Sequence, residues 1–139
     1  MTYNKDRTYP IFISHCWDYK DAYYTVEGWI DDSDISWKNM SIPSHDPKQT
    51  HSDKELEQMI DNNIKNSSIF IIIAGMYVSQ ENRIWINKEI EIAQKYNKPI
   101  LAIKPWGNER TPTKIQEVAD KLVNWQSSSV INGIYELIY

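Results

Sequence analysis

A chain of 139 residues with 41% hydrophobic and 24% charged residues has the size and make-up of one globular domain, read here as a single unit over 1–139. Its net charge of −4, with no basic stripe interleaved with aromatics, argues against a general nucleic-acid or membrane-surface binder. The lone cysteine, Cys16, excludes an intrachain disulfide; together with an N-terminus lacking an apolar signal core and no run of membrane-spanning length, it suggests a cytoplasmic protein.

Strand and helix signals alternate along the chain. Pro10-Ile11-Phe12-Ile13-Ser14 reads as a short strand ending in polar residues. Asp18 could cap a helix running through Tyr23, Val26, Trp29 and Ile30. Ile35-Ser36-Trp37 is at best a short strand, and 39–50, with Pro43 and Pro47, a loop. Ser52 followed by Glu55 has the spacing of a capping box, opening a helix with Leu56, Met59, Ile60 and Ile64 on one face. Ile69-Phe70-Ile71-Ile72-Ile73-Ala74 is apolar on both faces, the pattern of a central strand in a parallel sheet, and Gly75 ends it. A helix over 85–96 follows, then a buried strand over 99–104, stopped by Pro105 and Gly107. A short helix over 113–121, a weak strand at 122–123 and a last helix over 130–139 complete the pattern. Five βα units in this length predict a flavodoxin-like, doubly wound, five-stranded parallel sheet of order 2-1-3-4-5.

One residue breaks the helical pattern. At about 100° per residue, Trp85, Ile86, Ile90, Ile92, Ala93 and Tyr96 fall within roughly 160° of arc, and Glu89 falls inside that arc. A carboxylate on an apolar face must be paired, neutralised or open to a cleft. It is therefore either a catalytic or ligand-binding acid, or a structural Glu held by Lys, Arg or His. The expected position is near the carboxyl edge of the sheet, partly exposed to a cleft lined by Ser14, His15 and Trp37.

Ligands of doubly wound sheets bind beyond the carboxyl ends of the strands. That rule gathers 14–17, 37–41, 75–77 with the Glu89 helix, and 104–108. The rim then carries a carboxylate, a His, hydroxyls, an amide and several aromatics, a set suited to a flat polar ligand such as a nucleotide; the alternative is that these residues anchor loops. Other chemistries fit poorly. A phospho-receiver needs acids at the ends of the first and third strands, where Ser14-His15 and Ala74-Gly75 stand. No Gly-rich dinucleotide or P-loop fingerprint occurs. His15, His45 and His51 lack metal-ligand spacing, so no metal is expected. Cys16 beside His15 is no nucleophile pair, because neighbours on an extended segment point apart.

Five segments in order carry a family resemblance: Phe12-Ile13-Ser14-His15, then 37–43 (Trp-Lys-Asn-Met-Ser-Ile-Pro), Ala74-Gly75-Met76-Tyr77, 85–90 (Trp-Ile-Asn-Lys-Glu-Ile) and Lys104-Pro105-Trp106-Gly107. The chain resembles the TIR-like ThsB family of Thoeris anti-phage defence over nearly its whole length. The resemblance implies that the Trp-x-x-x-Glu helix carries the acid needed for NAD+ cleavage, which puts that role on Glu89. It implies NAD+ as substrate with no cofactor, and an ADP-ribose-derived signal, cyclic or conjugated, that activates a separate effector. A phage-derived trigger and self-association complete the expected setting. On this reading Asn39 and Ser41 fix the ribose and phosphates, Trp37 and Phe12 shape the ring pocket, Ser14 and His15 line its floor, and Tyr77 and Trp85 add to the substrate surface. The 39–50 loop is the expected moving part. Where TIR enzymes often carry Ser two residues before the Trp and Cys after it, this chain has Arg83 and Ile86; Arg83 could hold Glu89 ionised or block the pocket. The alternative is a non-catalytic TIR-like interaction module in which Glu89 is structural.

Overall fold

The computed structural model describes residues 4–14, 16, 19–42, 53–107 and 109–138. Five parallel strands form one sheet: β1 (Tyr9–Ile13), β2 (Trp37–Asn39), β3 (Ile69–Ile73), β4 (Ile100–Ile103) and β5 (Lys121–Val123). Their order is β2-β1-β3-β4-β5, the doubly wound order read from the sequence. The helices are α1 (Lys20–Asp31), α2 (Asp53–Lys65), α3 (Gln80–Lys95), α4 (Thr113–Val118) and α5 (Ser127–Leu137). The helix of 113–121 is shorter than expected, because Lys121 already pairs in β5 opposite Leu101. The expected caps at Asp18 and Ser52, and the 43–50 part of the loop, lie outside the described residues.

β3 is buried at all five positions, as a strand covered on both faces must be. α1 packs with α5 and α2 with α3, so each pair covers one face. Phe12 and Ser14 alternate with Ile11 and Ile13 along β1 and therefore face opposite sides of the sheet. Phe12 stacks at 5.7 Å on Phe70 in the adjacent register position, beneath α2 and α3. α2 turns Leu56, Ile60 and Ile64 into that layer, and α3 adds Ile86, Ile90 and Ala93; Met59, expected on the same face, is exposed. Lys88 of α3 bonds Glu57 of α2 at 2.5 Å across the outside of the pair. No helix among the described residues is long and apolar enough to cross a membrane.

Two differences from the sequence reading set the position of the candidate acid. α3 begins at Gln80, five residues before Trp85, where the Ser79 hydroxyl accepts from the Asn82 amide and caps the helix. Glu89 is thus in the third turn, about 13 Å along the helix from its start at 1.5 Å per residue, level with Ser14 at the carboxyl end of β1 and wholly buried there. The second concerns β2, which begins at Trp37 instead of ending there. Trp37 pairs with Tyr9, at the amino end of β1, about 13 Å from the level of Ile13 at strand rise.

Candidate functional site

The site is built from Ser14, the first residue beyond β1, and Glu89 of α3. Ser14 keeps its backbone in the sheet, its amide donating to the Ile71 carbonyl at 2.9 Å. Its side chain follows the Phe12 parity and points toward α3. There its hydroxyl donates to Glu89 Oε1 at 2.6 Å. Both residues are wholly buried. Among the described residues Glu89 Oε2 is the one buried side-chain oxygen or nitrogen with no hydrogen-bond partner. Such an atom forfeits the solvation of a carboxyl without replacement, typically about 1–3 kcal/mol or more for a charged group. Buried polar atoms are so generally satisfied that an orphan demands an explanation.

Burial pushes the Glu89 carboxyl up from 4.5 to about 8; the Ser14 hydrogen bond pulls the other way and does not offset it. The acid therefore holds its proton at neutral pH in this closed arrangement. No cation contributes to its titration. Arg83 is exposed on the far side of the helix and neither pairs with Glu89 nor blocks it. The expected partial exposure to a cleft is thus corrected to full burial: the wheel located the face correctly but could not show how much of the helix preceded it.

Ser41 reaches the same end of β1 from the other neighbour. Its hydroxyl accepts from the Ile13 amide at 2.9 Å, and its own amide donates to Asn39 Oδ1 at 2.9 Å. Asn39 in turn donates to the Tyr23 hydroxyl at 2.6 Å and to Glu27 Oε2 at 2.7 Å. Asn39 and Ser41 thus brace β2 and its exit against α1 and β1. Trp37 stands apart: its indole donates to Asp31 at 2.8 Å, at the amino end of the sheet, so it does not line a cleft with Ser14. Phe12 is core, below Ser14 on the same face. Tyr77 is buried and donates to Asn87 Oδ1 at 2.8 Å. Trp85 lies one helical turn before Glu89, about 6 Å along α3 toward its start. It is half-buried, with Lys88 over its ring at 4.7 Å. His15 lies outside the described residues. No grouping of His, Cys, Asp or Glu able to hold a metal occurs among the described residues.

The largest departure from the sequence reading lies away from Glu89. A cavity of about 500 Å³ opens between the start of α1 and the loops after β4 and β5. Its walls are Tyr19, Trp106 and Trp125, with Lys20, Asp21 and Thr25 on the α1 side. Trp106 belonged to the expected rim; Tyr19 and Trp125 did not. The available signal was the number of tryptophans in loops, and it could not show that two of them converge.

The geometry can be set beside known proteins. The family model for the TIR-like domain of Thoeris protein ThsB matches residues 12–110. The chain belongs to the ThsB TIR-like family. The matched span runs from β1 through the Glu89 helix and the loop after β4, and so takes in Ser14, Ser41, Trp85, Glu89 and Trp106. Among curated proteins no sequence relative matches. Among solved structures the chain is similar to Clostridium botulinum CMP N-glycosidase BcmB, at 14% identity and a TM-score of 0.56, over 90% of this chain and 97% of that one. It is also similar to a 3-dehydroquinate dehydratase-like protein from Bifidobacterium longum, at 9% identity and a TM-score of 0.50, over 94% and 95% of the two chains. At these identities the likeness concerns the fold.

Proposed function

We propose that this ThsB-family domain cleaves the N-glycosidic bond between nicotinamide and ribose in NAD+, with Glu89 as the acting carboxyl. The observation that carries the reading is the orphaned Oε2 of a fully buried Glu, aligned by Ser14, on the helix that holds the family's Trp-x-x-x-Glu pattern at Trp85 and Glu89. A structural role explains it poorly. An apolar side chain would fill the same space without an unsatisfied oxygen, whereas a functional acid keeps that oxygen for a substrate. The fold likeness to a protein described as a CMP N-glycosidase adds a second line of support, since that name also specifies cleavage of a base from a nucleotide.

The chemistry asks little of the protein. Nicotinamide leaves neutral from a cationic ring, so general acid help is unnecessary, and the transition state at the ribose carbon is oxocarbenium-like. One carboxylate that grips the ribose hydroxyls and faces the developing positive charge supplies the main stabilisation. In the closed arrangement Glu89 is protonated and sealed, which is the resting form of this mechanism. Moving the Trp85 side of α3 away from β1 would admit the ribose. Its hydroxyls would then supply the missing partner of Oε2, and the carboxyl would ionise as its surroundings become polar. The fate of the ribosyl cation depends on what reaches it: water gives ADP-ribose, an atom of the same molecule a cyclic product, another nucleophile a conjugate. A cyclic or conjugated product, made in the cytoplasm after a phage-derived trigger and assisted by self-association, would activate a separate effector.

The test uses cells. Deproteinised filtrates are made from phage-infected cells carrying the wild type or Glu89→Gln and added to the candidate effector. A wild-type filtrate that activates the effector, paired with an inert variant filtrate, supports the reading. An effector that responds only when the chain itself is present, and equally to Glu89→Gln, establishes an interaction module instead.

A further inference from the structure

Four aromatic rings meet on the α1 face of the sheet, opposite the face that α3 covers. The ring of Tyr19, the residue before α1, lies 6.0 Å between centroids from that of Trp106 in the loop after β4. Trp106 lies 5.4 Å from Trp125 in the loop after β5. The ring planes are inclined by 46° and 60°, so the three form a corner and not a stack. Each is only half-buried, and all three line the same cavity of about 500 Å³. The corner is held from outside the cavity. Trp29 of α1 packs on Trp125 at 4.9 Å. Trp106 rests on the backbone at the end of β3, where a Cβ at Gly75 would come within 2.4 Å of its ring. The Lys104 amide donates to the Val123 carbonyl at 2.8 Å and ties the two loops together where they leave the sheet.

We propose that this cavity is a binding site for a nucleobase bearing an exocyclic amine, such as adenine, and that it is separate from Glu89. Three observations point to that ligand. The volume is in the range of small-molecule sites. The rings offer apolar, π-rich surface on which a planar base stacks. Because the corner is already held in place, little ordering is needed on binding, and more of the stacking energy appears as affinity. A compact cation would also be drawn to the ring faces, but it would fill little of this volume. The third observation is the polar group at the mouth. Lys20 already has an interaction partner, so this contact falls to the exposed Asp21 carboxylate beside it. An ionised carboxylate only accepts hydrogen bonds. It therefore favours a base edge that carries an amine over one that carries a carbonyl, the difference between adenosine and inosine. A base seated there bridges the start of α1 and the loops after β4 and β5. The site neither requires nor supports the cleavage reading.

The test reads the indoles directly. The chain has six tryptophans, so a nitrogen-labelled sample gives six indole N–H signals; Trp85→Phe, Trp106→Phe and Trp125→Phe assign three of them. Adenosine, inosine and tetramethylammonium are titrated in turn. Adenosine should move the Trp106 and Trp125 signals saturably and bind about tenfold more tightly than inosine, the low end of what a hydrogen bond to a charged group contributes. Asp21→Asn, whose amide can face either base, should bring the two affinities together. Thr25, exposed on α1 and lining the cavity, is changed to Tyr to fill the mouth without touching the core or adding an indole. Thr25→Tyr should lose the adenosine response while the remaining indole signals stay in place, which shows that the fold is kept. Adenosine that leaves Trp106 and Trp125 unmoved overturns the proposal, and so does adenosine that moves Trp85 alone, since the base would then sit on the Glu89 side. Inosine that binds as tightly as adenosine removes the amine-reading role of Asp21. Tetramethylammonium that binds more tightly than adenosine makes the corner a cation site and not a base site.

Discussion

Replacing Glu89 by Gln should make the protein's stability depend less steeply on pH. The folded carboxyl titrates at about 8 because it is buried, against an ordinary 4.5. Between those values the folded state keeps a proton that the unfolded state has released. Stability therefore falls as pH rises, by about 1.4 kcal/mol for each pH unit. The contribution is full below pH 4.5 and lost as pH climbs toward 8. From pH 5 to 8 the wild type should lose about 3–4 kcal/mol relative to the variant, a large share of the roughly 5–15 kcal/mol that holds a domain together. Urea titrations of both proteins at pH 5, 6, 7 and 8 give the difference directly, and the subtraction removes every other titrating group. A difference that stays flat across the window would refute the reasoning, because it would mean that Glu89 is already ionised and hydrated in the folded protein.

Three further outcomes follow from named contacts. Ser41→Ala strips the Ile13 amide of its acceptor at the end of β1; a cost of about 1–3 kcal/mol should appear as a Tm lower by several degrees, and an unchanged Tm would remove the bracing role. Gly75→Ala drives a methyl into the Trp106 ring and should cost about 1–3 kcal/mol in calorimetry; a neutral substitution would show that the ring does not rest on the end of β3. The pH profile of kcat/KM for NAD+ should rise through the range approaching about 8, as the free enzyme's Glu89 ionises; a profile level from pH 6 to 9 would separate turnover from that carboxyl.

Much of the architecture was legible in the chain because β3 and β4 are apolar on both faces, and such strands have one place to go. Glu89 was legible for a related reason: a single charge inside an apolar arc is a local contradiction that periodicity exposes. What periodicity cannot supply is depth. The start of α3, Gln80 to Ile84, has no strong apolar stripe, so the helix before Trp85 went unread and Glu89 was expected part-exposed at the edge instead of wholly buried there. β2 was misplaced by two residues because a three-residue edge strand carries almost no pattern, and that shift moved Trp37 to the wrong end of the sheet. Asn39 and Ser41 were read as ligand groups since polar residues in loops look alike in sequence; their bonds to Tyr23, Glu27 and Ile13 become visible only when three elements meet. The convergence of Trp106 and Trp125 depends on residues nineteen positions apart and leaves no local trace.

Whether Glu89 acts on NAD+ separates an enzyme from an interaction module. The most direct measurement follows release of nicotinamide from ring-labelled NAD+, with extract of phage-infected cells added to purified wild type and Glu89→Gln in parallel. The wild type should release labelled nicotinamide, and the variant, still folded, should be slower by at least about a hundredfold, the scale typical of lost transition-state electrostatics. Release at equal rates by the two proteins would contradict a catalytic Glu89.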